Sequence, residues 1–448
     1  YEQLLSCEHV NSHLNGLHDS KQQPFVGHFC ERMAEVGGAG IAFSGGGIIA
    51  MLASACQLQA LQQLVPNITS HEICATSGGI VGSVLMASTK LGFPPSWSPS
   101  DYGTDAASTL SQRFHSDGAP WVAAVTDLLQ PLMSSTAMAM PNSSHWWEDV
   151  LGLIGHMYGL QPAELRAYET MTATVTILRE SLAPLQRDSA GLLPNATGNL
   201  IPSTWHPSDG YLRTFGSGAA VGPSAQPVPI LTALAYGTSF WAASLLESRI
   251  LYEHLSGLLP SLPPPDDSFL LVDGGSLDST AIAALLRRNV SRGVAFYDNS
   301  FDLRAVSTQL GFLFGVANTT SDLAMWQGPQ LAQVFATKLW PEVFANLTDP
   351  EIGAARLDNV FVMPNTFLGI SGGYWMSTLL IITTQQSEAF LRQMDEVDGG
   401  GVRAQLHPGW PEAMPLPGMT PLDANTLCVY SGWGVMRARD AIQDMFAY

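Results

Sequence analysis

Three short glycine-rich junctions carry the side chains that could do chemistry. They are Ser44-Gly45-Gly46-Gly47, Thr76-Ser77-Gly78-Gly79 and Asp273-Gly274-Gly275. Consecutive glycines lack Cβ atoms, so the backbone N–H groups of Gly45, Gly46 and Gly47 can converge on one point and hold an oxyanion or a phosphate. The stretch lacks the Gly-Lys-Ser/Thr ending of a nucleotide-binding loop, which argues against an NTPase. The second junction is close to the Gly-x-Ser-x-Gly elbow, with Ala75 where the first glycine usually stands. Ser77 is therefore the candidate nucleophile, and Gly78 and Gly79 allow the sharp turn. A nucleophilic serine needs a base. Asp273, a carboxylate at the end of a strand, can take the proton directly.

These residues need elements to position them. Ala39 to Phe43 reads as a short buried strand, Ile48 to Leu64 as a long helix, His71 to Thr76 as a second strand and Gly78 to Thr89 as a second helix. Ala173 to Leu178, Val228 to Tyr236, Phe269 to Asp273 and Gly293 to Tyr297 read as further strands, and Thr280 to Arg288 as a helix. Strands alternating with helices predict an α/β fold with a largely parallel sheet. In such sheets ligands gather at the carboxyl ends of the strands, where all three junctions would lie.

In that order and context, the motifs resemble the patatin-like and cytosolic phospholipase A / fungal lysophospholipase (phospholipase B) superfamily. Ser44-Gly45-Gly46-Gly47-Ile48-Ile49-Ala50-Met51-Leu52 follows the Ser-Gly-Gly-Gly-x-x-Ala-Met-Leu pattern of the cytosolic phospholipase and fungal phospholipase B branch, and Val228 to Leu234, followed by Phe240-Trp241 and Glu247, is similar to a further stretch of that branch. The resemblance covers residues 38–90 well and 225–300 moderately. It implies a patatin-like three-layer sandwich, with an N-terminal arm over 1–37 and one catalytic domain over 38–448. A cap or lid would be inserted at roughly 91–225. The resemblance also implies a serine acyl-ester hydrolase of lipids: Ser77 attacks, Asp273 takes and returns the proton, and Gly45, Gly46 and Gly47 hold the oxyanion. Water or an alcohol would then accept the acyl group, and neither cofactor nor metal is needed. There is one departure. Phospholipid-cleaving members carry an Arg two residues after the third glycine, where this chain has Ile49. A phosphate would lose a bidentate cation there, so a neutral lipid or glycolipid ester fits better.

Two other readings stay open. Ser77, Asp273 and His407 follow the chain order of an α/β-hydrolase triad. Alternatively, the chain is a non-catalytic structural or assembly subunit that keeps the fold.

The 448 residues include 38 acidic and 19 basic side chains, a net charge of −19. That balance excludes a nucleic-acid partner and electrostatic docking on anionic membranes. It leaves apolar contact with a lipid surface through Trp146-Trp147 and the neighbouring methionines, which serve equally well as core filling or as a cap over a greasy cavity. Charged residues are only 13% of the chain, half the usual ~25%, which suggests much buried area or an oligomeric or protein partner. No apolar run reaches the length of a membrane span. The chain starts without Met and carries six Asn-x-Ser/Thr sequons, at Asn67, Asn142, Asn195, Asn289, Asn318 and Asn346. These features read as a secreted or lumenal glycoprotein. Of the five cysteines, Cys7 and Cys30 are the expected bridge, with Cys56 and Cys74 buried as free thiols.

Overall fold

β1 (Ala39–Phe43) is buried along its whole length, as a strand at the centre of a parallel sheet must be. In the computed structural model it pairs in parallel with β2 (Glu72–Ala75) on one side and β8 (Arg292–Tyr297) on the other. Residues 37–88, 166–179, 200–207, 212–214, 230, 233, 261–262, 269–298, 309–316, 332–384, 387–411 and 420–447 are described. The expected Cys7–Cys30 bridge, Trp146-Trp147, and the sequons at Asn142, Asn195 and Asn318 lie outside them.

Among the described residues the sheet has ten strands, in the order β5 (Leu212–Thr214), β4 (Leu200–Trp205), β3 (Met171–Arg179), β2, β1, β8, β10 (Tyr374–Thr383), β9 (Ala354–Val362), with β7 (Phe269–Asp273) attached to β3 and β6 (Ser261–Leu262) to β7. β3, β2, β1, β8 and β10 run parallel. β9 closes one side antiparallel to β10. β4, β5, β6 and β7 are antiparallel additions around β3. β3, β4 and β5 fall inside the 91–225 stretch expected to form a cap, so that stretch contributes to the sheet itself. Of Val228 to Tyr236, read as a strand, the described residues Ile230 and Ala233 are helical.

Strand residues alternate between two cores. Ile41, Phe43, Val294, Phe296, Leu380 and Ile382 face one apolar cluster. Ala42, Ala295, Tyr297, Leu379 and Ile381 face the other. Three layers result, with helices on both faces of a sheet. α1 (Gly47–Leu64) and α2 (Gly78–Ser88) lie on the first face, as do α5 (Glu388–Asp398), α6 (Pro421–Arg437) and α7 (Arg439–Phe446). α3 (Ile282–Arg287) and α4 (Trp340–Thr348) lie on the second. α1 is buried almost all round because sheet, α2 and α6 enclose it, which is why its apolar residues show no single stripe. Among the described residues, no helix is long and apolar enough to cross a membrane.

α6 is bound to α1 covalently. Cys56 is not the free thiol expected from sequence. It forms a disulfide with Cys428, Cα atoms 5.4 Å apart and 372 residues distant in sequence. Both cysteines belong to the same packed cluster. The sequence places Cys56 in a helical pattern but cannot say which helix will lie against it. Cys74 is free and buried, as expected. Closing so long a loop restricts the unfolded chain strongly. Replacing Cys56 and Cys428 together by Ala is therefore expected to cost about 2–4 kcal/mol. Guanidinium unfolding of the oxidised protein and the double variant checks this, and an unchanged midpoint would contradict the bridge.

Candidate active site

The site arises from a fork on one edge of β3. β2 pairs with the first residues of β3 and ends with Ala75 opposite Ala173. β7 arrives from the other direction, antiparallel, and ends with Asp273 opposite Val175. The two strands thus run toward each other along the same edge. Ser77 lies two residues past Ala75, directly in the path of Asp273. Ser77 Oγ donates a 2.7 Å hydrogen bond to Asp273 Oδ2. From the sequence, the two residues are expected to meet at the carboxyl edge of a parallel sheet. The structure brings them together by the head-on meeting of a parallel and an antiparallel strand.

The elbow around Ser77 is tightly built. Ser77 has φ 49°, a left-handed conformation that a non-glycine residue adopts only when its surroundings hold it there. Gly79 N–H and Ile80 N–H close the turn on Thr76 and Ser77 carbonyls at 2.9 and 3.0 Å. A Cβ on Gly78 would collide with the Gly47 carbonyl, so the elbow and the glycine loop can touch only because that residue is glycine. The loop itself turns through Gly47 at φ 63° and enters α1. The N-termini of α1 and α2 both open at Ser77, and their dipoles favour negative charge there.

Gly45, Gly46 and Gly47 do not present equivalent amides. Gly45 N–H donates to the Ser279 carbonyl at 2.7 Å, so it is spent on holding the loop to the segment after Asp273. Among the described residues, the N–H groups of Gly46 and Gly47 have no protein acceptor, and both residues are half-buried. Ile49 is buried in the core next to them.

Asp273 is buried, and burial pushes its carboxyl up from 3.8 to about 7, against the pull of the Ser77 and Gly275 hydrogen bonds. Its Oδ1 accepts from Gly275 N–H at 2.7 Å, which caps the short turn Gly274–Ser276. The capping role and the bond to Ser77 therefore coexist on one carboxylate. Asp278, not singled out from sequence, is also buried. It accepts from Thr280 N–H, Thr280 Oγ and Ala283 N–H, and so shapes the start of α3. The pattern Asp-Ser-Thr after Leu277 is a sequence signal for that cap.

His407 is not part of this site. Its amide donates to Asp423 Oδ1 at 2.8 Å, in the capping box at the start of α6. The partner of Ser77 is Asp273 itself, with no imidazole between them. Among the described residues there is no cluster of metal-ligating side chains. A cavity of about 290 Å3 lies elsewhere, between β9, β10 and α6, with Ile382, Trp433 and Gly434 among its walls. It contains none of the three junctions. Of the described sequons, Asn67 is exposed in the turn after α1, Asn289 accepts from Ser371 Oγ, and Asn346 lies within α4.

No family model matches this chain, and no curated protein matches it. Among solved structures it is similar to human GIVD cytosolic phospholipase A2, at 13% identity and a TM-score of 0.47, over 96% of this chain and 67% of that one. A structure of the same human protein in complex with methyl gamma-linolenyl fluorophosphonate gives 14% identity and a TM-score of 0.40, over 96% of this chain and 64% of that one. The chain thus spans about two thirds of the length of these structures.

A stability test follows from the buried carboxyl. Its folded value lies above its unfolded value, so its contribution is full below about 3.8 and is lost as pH rises through about 7. Asn at position 273 does not titrate. The Asp273→Asn protein should therefore gain stability over the wild type between pH 5 and pH 8, by about 2 kcal/mol. Denaturant unfolding at the two pH values measures it. A gap that stays constant would mean the carboxyl is not perturbed.

Proposed function

We propose that the protein is a lipid acyl-ester hydrolase working through a Ser77–Asp273 dyad. The 2.7 Å bond from Ser77 Oγ to the buried Asp273 carboxylate carries the reading. The order and wording of the three motifs, which resemble the patatin-like and cytosolic phospholipase superfamily, support it. Asp273 is poised near neutrality, where a general base works best. It takes the Ser77 proton as Oγ attacks the ester carbonyl. The carbonyl oxygen becomes an oxyanion facing the unspent N–H groups of Gly46 and Gly47, at the head of α1. The tetrahedral intermediate collapses, the proton passes from Asp273 to the leaving alcohol, and an acyl-serine remains. Water, deprotonated by Asp273 in turn, attacks the acyl-serine; the second tetrahedral intermediate collapses, Asp273 returns that proton to Ser77 Oγ, and the fatty acid leaves. An alcohol in place of water gives acyl transfer.

The substrate we favour is a neutral or glycolipid ester. Where the resemblance implies an Arg for a phosphate, the chain has buried Ile49, which offers no positive charge. A secreted or lumenal setting fits the Cys56–Cys428 disulfide, since such bonds persist in oxidising compartments. The exposed sequon at Asn67 fits it too.

A fluorophosphonate probe should leave one adduct, on Ser77, identified by peptide mass. Ser77→Ala should lower ester hydrolysis by 10³-fold or more. With Asp273 acting deprotonated, kcat/KM should rise tenfold per pH unit below about 7 and level off above it. An unlabelled Ser77 in folded protein would favour a non-catalytic subunit instead. Across substrates of matched chain length, a monoacylglycerol or glycolipid should be cleaved at least tenfold faster than the corresponding lysophospholipid, read by released fatty acid. The reverse order would sink the neutral-ester assignment and leave the dyad standing.

A further inference from the structure

We infer that Ser44 is a positioning residue that aims the Gly46 N–H at the reacting carbonyl. The inference rests on the hydrolase reading above and deepens it. Ser44 follows β1 and is fully buried. Its amide extends the β1–β8 ladder by donating to the Phe296 carbonyl at 3.0 Å. Its hydroxyl has two partners. It accepts from the Asp298 N–H at 2.7 Å and donates to the Gly45 carbonyl at 3.0 Å. A hydroxyl can accept and donate at once, which neither a carboxylate nor a thiol does well.

The consequence lies in the next peptide. A peptide unit is planar and trans, so its C=O and N–H point in opposite directions. Holding the Gly45 carbonyl on the Ser44 hydroxyl fixes that unit and turns the Gly46 N–H the other way. Gly45 Cα already faces the nucleophile: a Cβ there would stand 3.0 Å from Ser77 Cβ and 3.7 Å from Ser77 Oγ. The Gly45 N–H is taken by Ser279. Gly45 is thus fastened through both of its peptide groups, and among the described residues the N–H groups without an acceptor begin at Gly46. Without the hydroxyl, the Gly45–Gly46 peptide would lose the contact that pins its carbonyl, and the wide conformational range of glycine would leave its direction loosely set. Asp298 takes part through its amide, and the Gln57 side chain of α1 holds its carboxylate at 2.8 Å. The relay therefore ties the loop to both β8 and α1.

The test compares an ester with its thionoester analogue, whose sulfur accepts hydrogen bonds poorly. Wild-type enzyme should prefer the ester. Ser44→Ala should lower kcat for the ester on the order of 10²-fold with little change in KM, and should reduce the ester-to-thionoester ratio of kcat/KM at least tenfold. Ser44→Cys keeps the volume of a buried side chain with a weak donor, and should show the same fall in the ratio if the Ala variant does not fold. Equal losses on both substrates, or no loss on either, would overturn the proposal while wild-type turnover upheld the dyad. Absence of wild-type turnover, with Ser77 unlabelled, would overturn both.

Discussion

The geometry of this protein depends on one antiparallel intrusion into a parallel sheet. β7 enters beside β3 against the direction of its neighbours and stops where β2 stops. Had β7 been parallel, Asp273 would have emerged at the same edge as Ser77 but a strand's width away, roughly 4.8 Å for each strand crossed. The head-on approach brings the two side chains within a single hydrogen bond and leaves no room for a third residue between them. It also removes water from the carboxylate. The same burial that raises its proton affinity makes a direct serine–carboxylate exchange chemically workable near neutral pH.

Around that contact, small residues give up side chains so that backbone can approach backbone. Gly78 meets the Gly47 carbonyl, and Gly79 meets the carbonyls of Phe43 and Ser44. The elbow and the glycine loop are thereby one packed object, although they come from separate junctions. Strain at Ser77 is held by this packing, while the segment after Asp273 reaches across to take the Gly45 amide. All three junctions are mechanically linked, so a shift in any of them would move the others.

Much of this was legible in the sequence. The three junctions, the strands beside them and the α/β class follow from glycine placement and apolar periodicity, because both are local signals. Asp273 could be paired with Ser77 because residue types limit the available bases. What could not be read is whatever depends on long-range packing. Nothing around Cys56 announces Cys428, because each sits in an ordinary helical pattern and the pairing exists only once α6 lies on α1. The direction of β7 is likewise invisible, since an apolar strand reads the same either way. Gly45, Gly46 and Gly47 look interchangeable as letters, yet one amide is spent on Ser279, a partner far along the chain. His407 illustrates the opposite error. Its place in chain order suits a triad, but Asp423 holds its backbone at a helix start.

The bridge between α1 and α6 has a consequence for how the chain is made. α1 carries the loop that opens on Ser77, yet one of its flanks is covered by a helix that follows it by 372 residues at the bridge. During synthesis from the N-terminus, an apolar face of that helix has no native cover until residues 421–446 have emerged. The partner thiol of Cys56 arrives with the same segment. A nascent chain in this interval exposes a sticky surface and an unpaired thiol together, and would need to be shielded from both aggregation and wrong bridges. The helices over residues 421–446 therefore act as a closing latch on the layer that bears Ser77.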